Sequence, residues 1–185
     1  MTLVAVLLAA GPGSRFSGET HKLSAPFGGS TVIGQAVAAA VEAEIGPVIV
    51  VRGGTDLGLA RQAVTVVDNP RWSDGQATSL QVAVAEAQRR GADAIVVGLG
   101  DQPLVTAAAW HAVAGAAGGP IVTASYGGRR CPPVRLDRAA WPLLPTDGDE
   151  GARVVMSLHP ELVTSIEVTG EPADIDTVED LSRWS

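Results

Sequence analysis

The chain has 185 residues, 46% hydrophobic and 18% charged, a balance that supports a sizeable folded core and excludes a disordered chain. Its formal net charge of −7 comes without a basic stripe, which argues against nucleic acid as a partner and leaves anion binding to a few local cations and backbone amides. A single cysteine, Cys131, excludes an internal disulfide, no Cys/His cluster has zinc spacing, and no apolar run reaches the roughly 20 residues of a membrane span.

The first run, "LVAVLLAA" (3–10), reads as a strand buried on both faces and ends abruptly in Gly-Pro-Gly. No basic residue precedes it, so it is not read as a signal peptide, and a soluble, cytoplasmic setting is expected. A helix follows over 30–44, where Val32, Ile33, Ala36, Val37, Ala40 and Val41 share one face and Ser30 or Thr31 caps the start. Strands are expected at 47–51 and, edge-like, at 64–69. The segment 77–91 reads as a helix with Arg89 and Arg90 in its last turn and Gly91 as C-cap. A fourth strand lies within 93–103 and a helix within 105–117.

The later elements are less regular. Strands at 120–126 and 132–137 flank "GGRRC", and "RAAWPLL" is a short helix broken by Pro142. A helix over 148–160 and a strand over 162–168 precede "DIDTVEDLSRW". Alternating strands and helices predict an α/β fold, a three-layer doubly wound Rossmann-like sandwich with a mainly parallel sheet and a small antiparallel addition. No repeat or linker divides the chain, so 1–185 is expected to be a single domain.

In such folds ligands bind beyond the carboxyl ends of the strands. Those ends read "GPGSR", "DNPRWSDGQATSL", "GDQP" and "DIDT". The glycine turn fits neither a dinucleotide fingerprint nor a Walker loop. It does leave backbone at Gly11 and Gly13 open beside Ser14, Arg15 and Lys22, which suits a phosphate as well as an ordinary turn. Asp101 sits at the sheet edge, where it either binds a hard cation or caps the next helix. Asp174 and Asp176 share a side if extended, while Thr177 and Glu179 fit a helix cap. Two carboxylates brought together repel, so Asp101 and Asp176 are expected to need a metal ion. His111 is expected to be packed rather than catalytic, and Trp110 and Trp141 to be core. Ser14 and Cys131 have no evident base beside them. Jointly these residues suggest phosphoryl or nucleotidyl transfer by positioning and charge neutralisation.

The strings "LAAGPGSRF", "HKLSAPFGGSTVI", "NPRWSDGQATSL", "GDQP", "PPV", "GDEGAR" and "DIDTVEDL", in that order, resemble nucleotidyltransferases of the molybdenum cofactor cytidylyltransferase type. The resemblance implies transfer of CMP from CTP to the terminal phosphate of a molybdopterin-type cofactor, with Mg²⁺ and release of pyrophosphate. Arg15 and Lys22 would hold the triphosphate, and with Asp101 carry catalysis. Leu8, Ala9, Ala10 and Gly11 would line the nucleotide together with Gly13, Ser14, Asn69, Ser79 and Leu80. Asp101 and Asp176 would bind the metal, and Gln102, Pro133, Asp149 and Gly151 the acceptor. A molybdoenzyme or its chaperone would receive the product. Where the family often has Gly-His-Pro or Gly-Asn-Pro, this chain has Cys131-Pro132-Pro133, and His21 stands where Pro is common before the lysine. Two alternatives remain: transfer to another small phosphorylated acceptor (a phospho-acid or polyol phosphate, with CTP or GTP), or a nucleotide-binding module without catalysis.

Overall fold

The computed structural model describes every residue except Glu19, Arg61 and Ser185. In chain order it has β1 (Leu3–Ala9), β2 (Pro26–Phe27), β3 (Ser30–Thr31), α1 (Val32–Glu42), β4 (Val48–Arg52) and β5 (Val64–Asp68). Then come α2 (Gln76–Arg89), β6 (Ala94–Leu99), α3 (Ala107–Gly115), β7 (Ile121–Tyr126) and β8 (Arg129–Asp137). The last are α4 (Ala152–Leu158), β9 (Val163–Glu167) and α5 (Val178–Trp184).

Strand β1 is apolar throughout because helices cover both its faces. Successive side chains of a strand point to opposite faces. Thus Ala5, Leu7 and Ala9 join the core under α1 and α3, while Val4, Val6 and Leu8 join the core under α2. Each fully buried Val or Leu contributes about 1.5–3 kcal/mol relative to exposure. Trp110 anchors the first core and Trp141 the second, both as expected.

The main sheet runs β5-β4-β1-β6-β8-β7-β9. All neighbours are parallel except β8, which is antiparallel to both β6 and β7. The fold is therefore the expected mainly parallel three-layer sandwich. The antiparallel strand is inserted between β6 and β7 rather than appended, and β2 pairs with β3 in a separate small antiparallel sheet. Strand β5 lies at the sheet edge, as its polar ending predicts.

Several boundaries differ for local reasons. Helix α1 starts at Val32 because Ser30 and Thr31 pair with β2; Thr31 then caps it, its hydroxyl accepting from the Gly34 N–H at 3.1 Å. The string "GGRRC" is not a loop: Gly127 and Gly128, at φ +59 and +84, make the turn, and Arg129 already pairs with Tyr126. Helix α4 occupies only part of 148–160, since Gly148 and Gly151 sit at φ +89 and +51, outside helical backbone. Pro142 lies within 3₁₀ turns over Arg138–Leu143. His111, expected to be packed, is exposed on α3.

Candidate active site

Loops after β1, β5 and β6 meet the segments around Gly148 and Asp176 at the carboxyl edge of the parallel strands. After β1, Gly13 adopts φ +62 and its carbonyl accepts from the Phe16 N–H at 3.0 Å, which turns the chain back and leaves Arg15 exposed. His21 lies under this turn. Its Nδ1 accepts from the Leu23 N–H, so Nε2 carries the proton and faces the Gly11 carbonyl, each at 3.3 Å. Leu23 is buried in the first core, and its anchoring aims the preceding residue, Lys22, at the sheet edge.

Lys22 is the centre of the charge arrangement. Its side chain is 9% exposed, and Nζ donates to Asp101 Oδ2 at 2.6 Å and to Asp176 Oδ1 at 2.9 Å. The other oxygen of Asp176 pairs with Arg15 Nη2 at 2.9 Å. Burial by itself would lower the Lys22 ammonium. The charges and hydrogen bonds of Asp101, then Asp176, outweigh it and hold Lys22 above the usual lysine value. The expected bare repulsion between the two aspartates is thus corrected: a side-chain ammonium already lies between them.

Asp176 arrives from the far end of the sequence. The Ile175 N–H donates to the Asp101 carbonyl at 2.9 Å, and buried Ile175 pins the segment. Asp180, rather than the expected Glu179, closes the cap: its carboxylate accepts from the Thr177 N–H at 2.9 Å, and Thr177 Oγ1 accepts from the Asp180 N–H at 3.1 Å. Thr106, not Asp101, caps α3, its hydroxyl accepting from the Ala109 N–H at 3.2 Å. Asp174 accepts from Gln102 Nε2 at 2.8 Å. Burial, then the charges of Asp101 and Asp176, push its carboxyl up from the usual range.

Another loop follows β5. Asn69 is buried, and its Nδ2 donates to Thr78 Oγ1 and Ser79 Oγ, both at 2.9 Å, while Oδ1 accepts from the Arg71 N–H at 2.9 Å. Asn69 therefore positions the start of α2 and does not itself line the cavity that these loops enclose. Gly75, before α2, takes φ +106 and ψ 168, a conformation essentially confined to glycine. The segment around Gly148 packs on it: the Ala77 N–H donates to the Gly148 carbonyl at 2.9 Å, and the Gly148 N–H to the Asp74 carbonyl at 3.2 Å.

These loops enclose a cavity of about 620 Å³, walled by Leu8, Ala10, Gly11, Gly13, Ser14, Arg15, Lys22, Ser79, Asp101 and Asp176 among others. A second cavity of about 360 Å³ adjoins it, sharing Leu8, Gln76 and Leu99, and takes in Gln102, Gly151 and Pro132. The structure corrects several placements. Ala9 points into the core under α1 and α3, and Asn69 lies behind the wall. Leu80 packs in the second core and borders the second cavity, not the first, because it follows Ser79 on the helix and faces about 100° away. Pro132, not Pro133, lines the second cavity. Asp149, expected on the acceptor side, lines the first. Trp72 and Gln76, in the polar loop that leads into α2, also line the first cavity, and Gln76 opens α2 directly after the glycine.

A divalent metal can be tested against these oxygens. Asp101 and Asp176 converge on one ammonium, so both reach a common cation. Among the described residues no group of three or more His, Cys, Asp or Glu side chains forms a metal cage. Two carboxylates with substrate phosphates and water suit Mg²⁺, which binds proteins in that way. The residues fit a metal that comes with a triphosphate.

Among the described residues neither Ser14 nor Cys131 has a hydrogen bond to a histidine or carboxylate, and burial pushes the Cys131 thiol up. Cations for a polyphosphate and oxygens for a metal suit transfer by positioning; the class of protein is a nucleotidyltransferase. Comparison with known proteins then gives the family. Residues 5–163 match the MobA-like NTP transferase domain, and the chain belongs to that family. It is 30% identical over 193 residues to the purine catabolism protein PucB of Bacillus subtilis (strain 168), covering 96% of this chain and 93% of that one. Among solved structures, Rv0371c of Mycobacterium tuberculosis H37Rv is 28% identical with a TM-score of 0.83, covering 99% of this chain and 97% of that one. A nucleotidyl transferase of Methanothermobacter thermautotroptrophicus, Mth528, is 25% identical with a TM-score of 0.82, over 98% and 95%. A further structure of Rv0371c, a complex with manganese, is 25% identical with a TM-score of 0.76, over 100% and 98%. Among the described residues, no helix is long and apolar enough to cross a membrane.

Proposed function

We propose that this chain, acting as one catalytic domain over 1–185, transfers CMP from CTP to the terminal phosphate of a molybdopterin-type cofactor. The observation that carries the transferase part is the cavity pair, joined at Leu8, Gln76 and Leu99 beside Asp101. A triphosphate in the first cavity and an acceptor in the second would meet at the sheet edge. The identity of the acceptor rests on the sequence resemblance through "GDQP", "GDEGAR" and "DIDT".

In this reading a phosphate oxygen of the acceptor attacks the α-phosphorus of CTP, the bond from that phosphorus to the bridging oxygen of pyrophosphate breaks, and pyrophosphate leaves. Arg15, at the mouth, and Lys22, within it, neutralise the departing charge. Open backbone at Gly11 and Gly13 admits the phosphates. The Ser79 hydroxyl, already accepting from Asn69, keeps its own proton to donate into the cavity. Asp101 and Asp176 would hold Mg²⁺, which neutralises phosphate charge during transfer. Gln102 and Gly151 line the acceptor side. The Cβ of Ala10, on the wall of the first cavity, favours a pyrimidine over a purine by about 1–3 kcal/mol. The setting is cytoplasmic, and the product passes to a molybdoenzyme or its chaperone.

The test is pyrophosphate release with Mg²⁺ and a matrix of CTP or GTP against molybdopterin-type, phospho-acid and polyol-phosphate acceptors. Turnover is expected with CTP and the molybdopterin-type acceptor. Pro132, in a wall where the family often carries a polar residue, makes another phosphate acceptor the leading rival, and turnover with that alone would replace the acceptor named here. No pyrophosphate release with any of these acceptors would leave a nucleotide-binding module without catalysis.

A further inference from the structure

The groups expected to meet a nucleotide and its metal are bound to one another in this structure. Lys22 Nζ lies 2.6 Å from Asp101 and 2.9 Å from Asp176, and Arg15 takes the remaining oxygen of Asp176 at 2.9 Å. Of the two cations, Arg15 is held loosely, with its side chain 75% exposed, whereas the Lys22 side chain is 9% exposed. An ammonium so buried is costly unless carboxylates face it, and two carboxylates so close are costly unless a cation lies between them. Each solves the other's problem, so the charges of Arg15, Lys22, Asp101 and Asp176 balance one another. A metal approaching alone meets carboxylates already neutralised and a positive charge at their centre.

Resting on the transferase reading above, we propose that Lys22 holds the place of the divalent metal, and that Asp101 and Asp176 accept the metal only when a nucleoside triphosphate draws the ammonium onto its phosphates. In the exchange the triphosphate brings the anions that Lys22 needs, and the metal brings the cation that the aspartates then lack. Metal and nucleotide binding are consequently strongly coupled, and the coupling is reciprocal. The long, flexible lysine stem makes the swing feasible without backbone movement. A lysine that only contacted phosphate would leave metal binding to the free protein unhindered.

The experiment counts bound Mn²⁺ by the electron paramagnetic resonance signal of the free ion, with the full chain. Non-transferable CTP and GTP analogues, with a methylene between the α- and β-phosphorus, serve as nucleotides. Wild type is expected to bind Mn²⁺ at least about tenfold more tightly with an analogue than without, within the usual range of such couplings. Lys22→Met, which keeps length and removes charge, should bind Mn²⁺ without nucleotide at least about tenfold more tightly than wild type does, and should lose most of the coupling. Its melting temperature should rise when Mn²⁺ alone is added, while that of wild type should not. Should Lys22→Met fail to fold, Lys22→Gln takes its place in the same nucleotide-free comparison, because a triphosphate supplies metal ligands of its own and the wild-type coupling does not single out Lys22. Equal Mn²⁺ affinity of wild type in both conditions overturns the place-holding role and leaves the transferase reading standing. Binding of neither analogue nor Mn²⁺, alone or together, overturns both.

Discussion

Gly75→Ala is the sharpest probe of how the site is assembled. A Cβ built at Gly75 would lie 2.4 Å from both the carbonyl carbon and the oxygen of Gly148, and 2.9 Å from Asp149 Oδ1. The first two are backbone atoms that cannot rotate aside. Its φ of +106 adds backbone strain of about 1–3 kcal/mol for a non-glycine residue. Relieving the overlap must separate the loop before α2 from Gly148, which loosens the hydrogen bonds of Ala77 and Gly148, each contributing about 0.5–1.5 kcal/mol. Together these predict a destabilisation of about 2–6 kcal/mol. At about 2–4 °C per kcal/mol for a chain of this size, the melting temperature should fall by roughly 4–24 °C. The control is Gly148→Ala. That position also has positive φ, but its Cβ would meet nothing within 4 Å, so only the strain, about 1–3 kcal/mol, applies. Thermal and urea unfolding of both variants, with nucleotide affinity measured alongside, provide the assay. Gly75→Ala melting at or above Gly148→Ala would refute the claim that close packing of these two loops forms the cavity wall.

Two further outcomes follow from the charges. Asp101→Asn, in chelator and without nucleotide, should lower the melting temperature rather than raise it, because it removes the 2.6 Å partner of a buried ammonium; about 1–3 kcal/mol is expected after allowing for the remaining Asp176, checked by calorimetry. Asp174→Asn should raise stability near neutral pH. The folded-state pKa of Asp174 is raised, so between its ordinary value and that raised one the native state binds the extra proton and stability falls as pH rises; the full penalty persists above the window and vanishes below it. Asparagine keeps an oxygen for Gln102 Nε2 and carries no charge, so unfolding curves from pH 3 to 8 should show that segment of the pH dependence flattened. An unchanged curve would remove burial and the neighbouring aspartates as the cause.

Much of this protein follows from local pattern alone. The continuous apolar run of β1 demands two covered faces, and the structure covers them with α1 and α3 on one side and α2 on the other. Thr31 and Thr106 cap their helices through contacts within three residues, which sequence spacing encodes directly. The bare glycine backbone beside Arg15 and Lys22, and acids at the ends of β6 and the last loop, were legible because parallel sheets place such ends on one edge. What lay beyond the sequence involves partners distant along the chain. The insertion of β8 between β6 and β7 is decided by which edges are left open once the other strands have paired. Leu80 and Ser79 are adjacent in sequence, and only the docked rotation of α2 sends one to the core and the other to the first cavity. Asn69 reads as a polar loop residue until burial forces its amide onto Thr78 and Ser79. Lys22 and Asp176 are 154 positions apart, and their pairing depends on Leu23 and Ile175 sinking into the core on either side of Asp101. Residue type determined that cations and carboxylates would share this edge; only tertiary packing, by removing water from around them, decided that they would neutralise one another there.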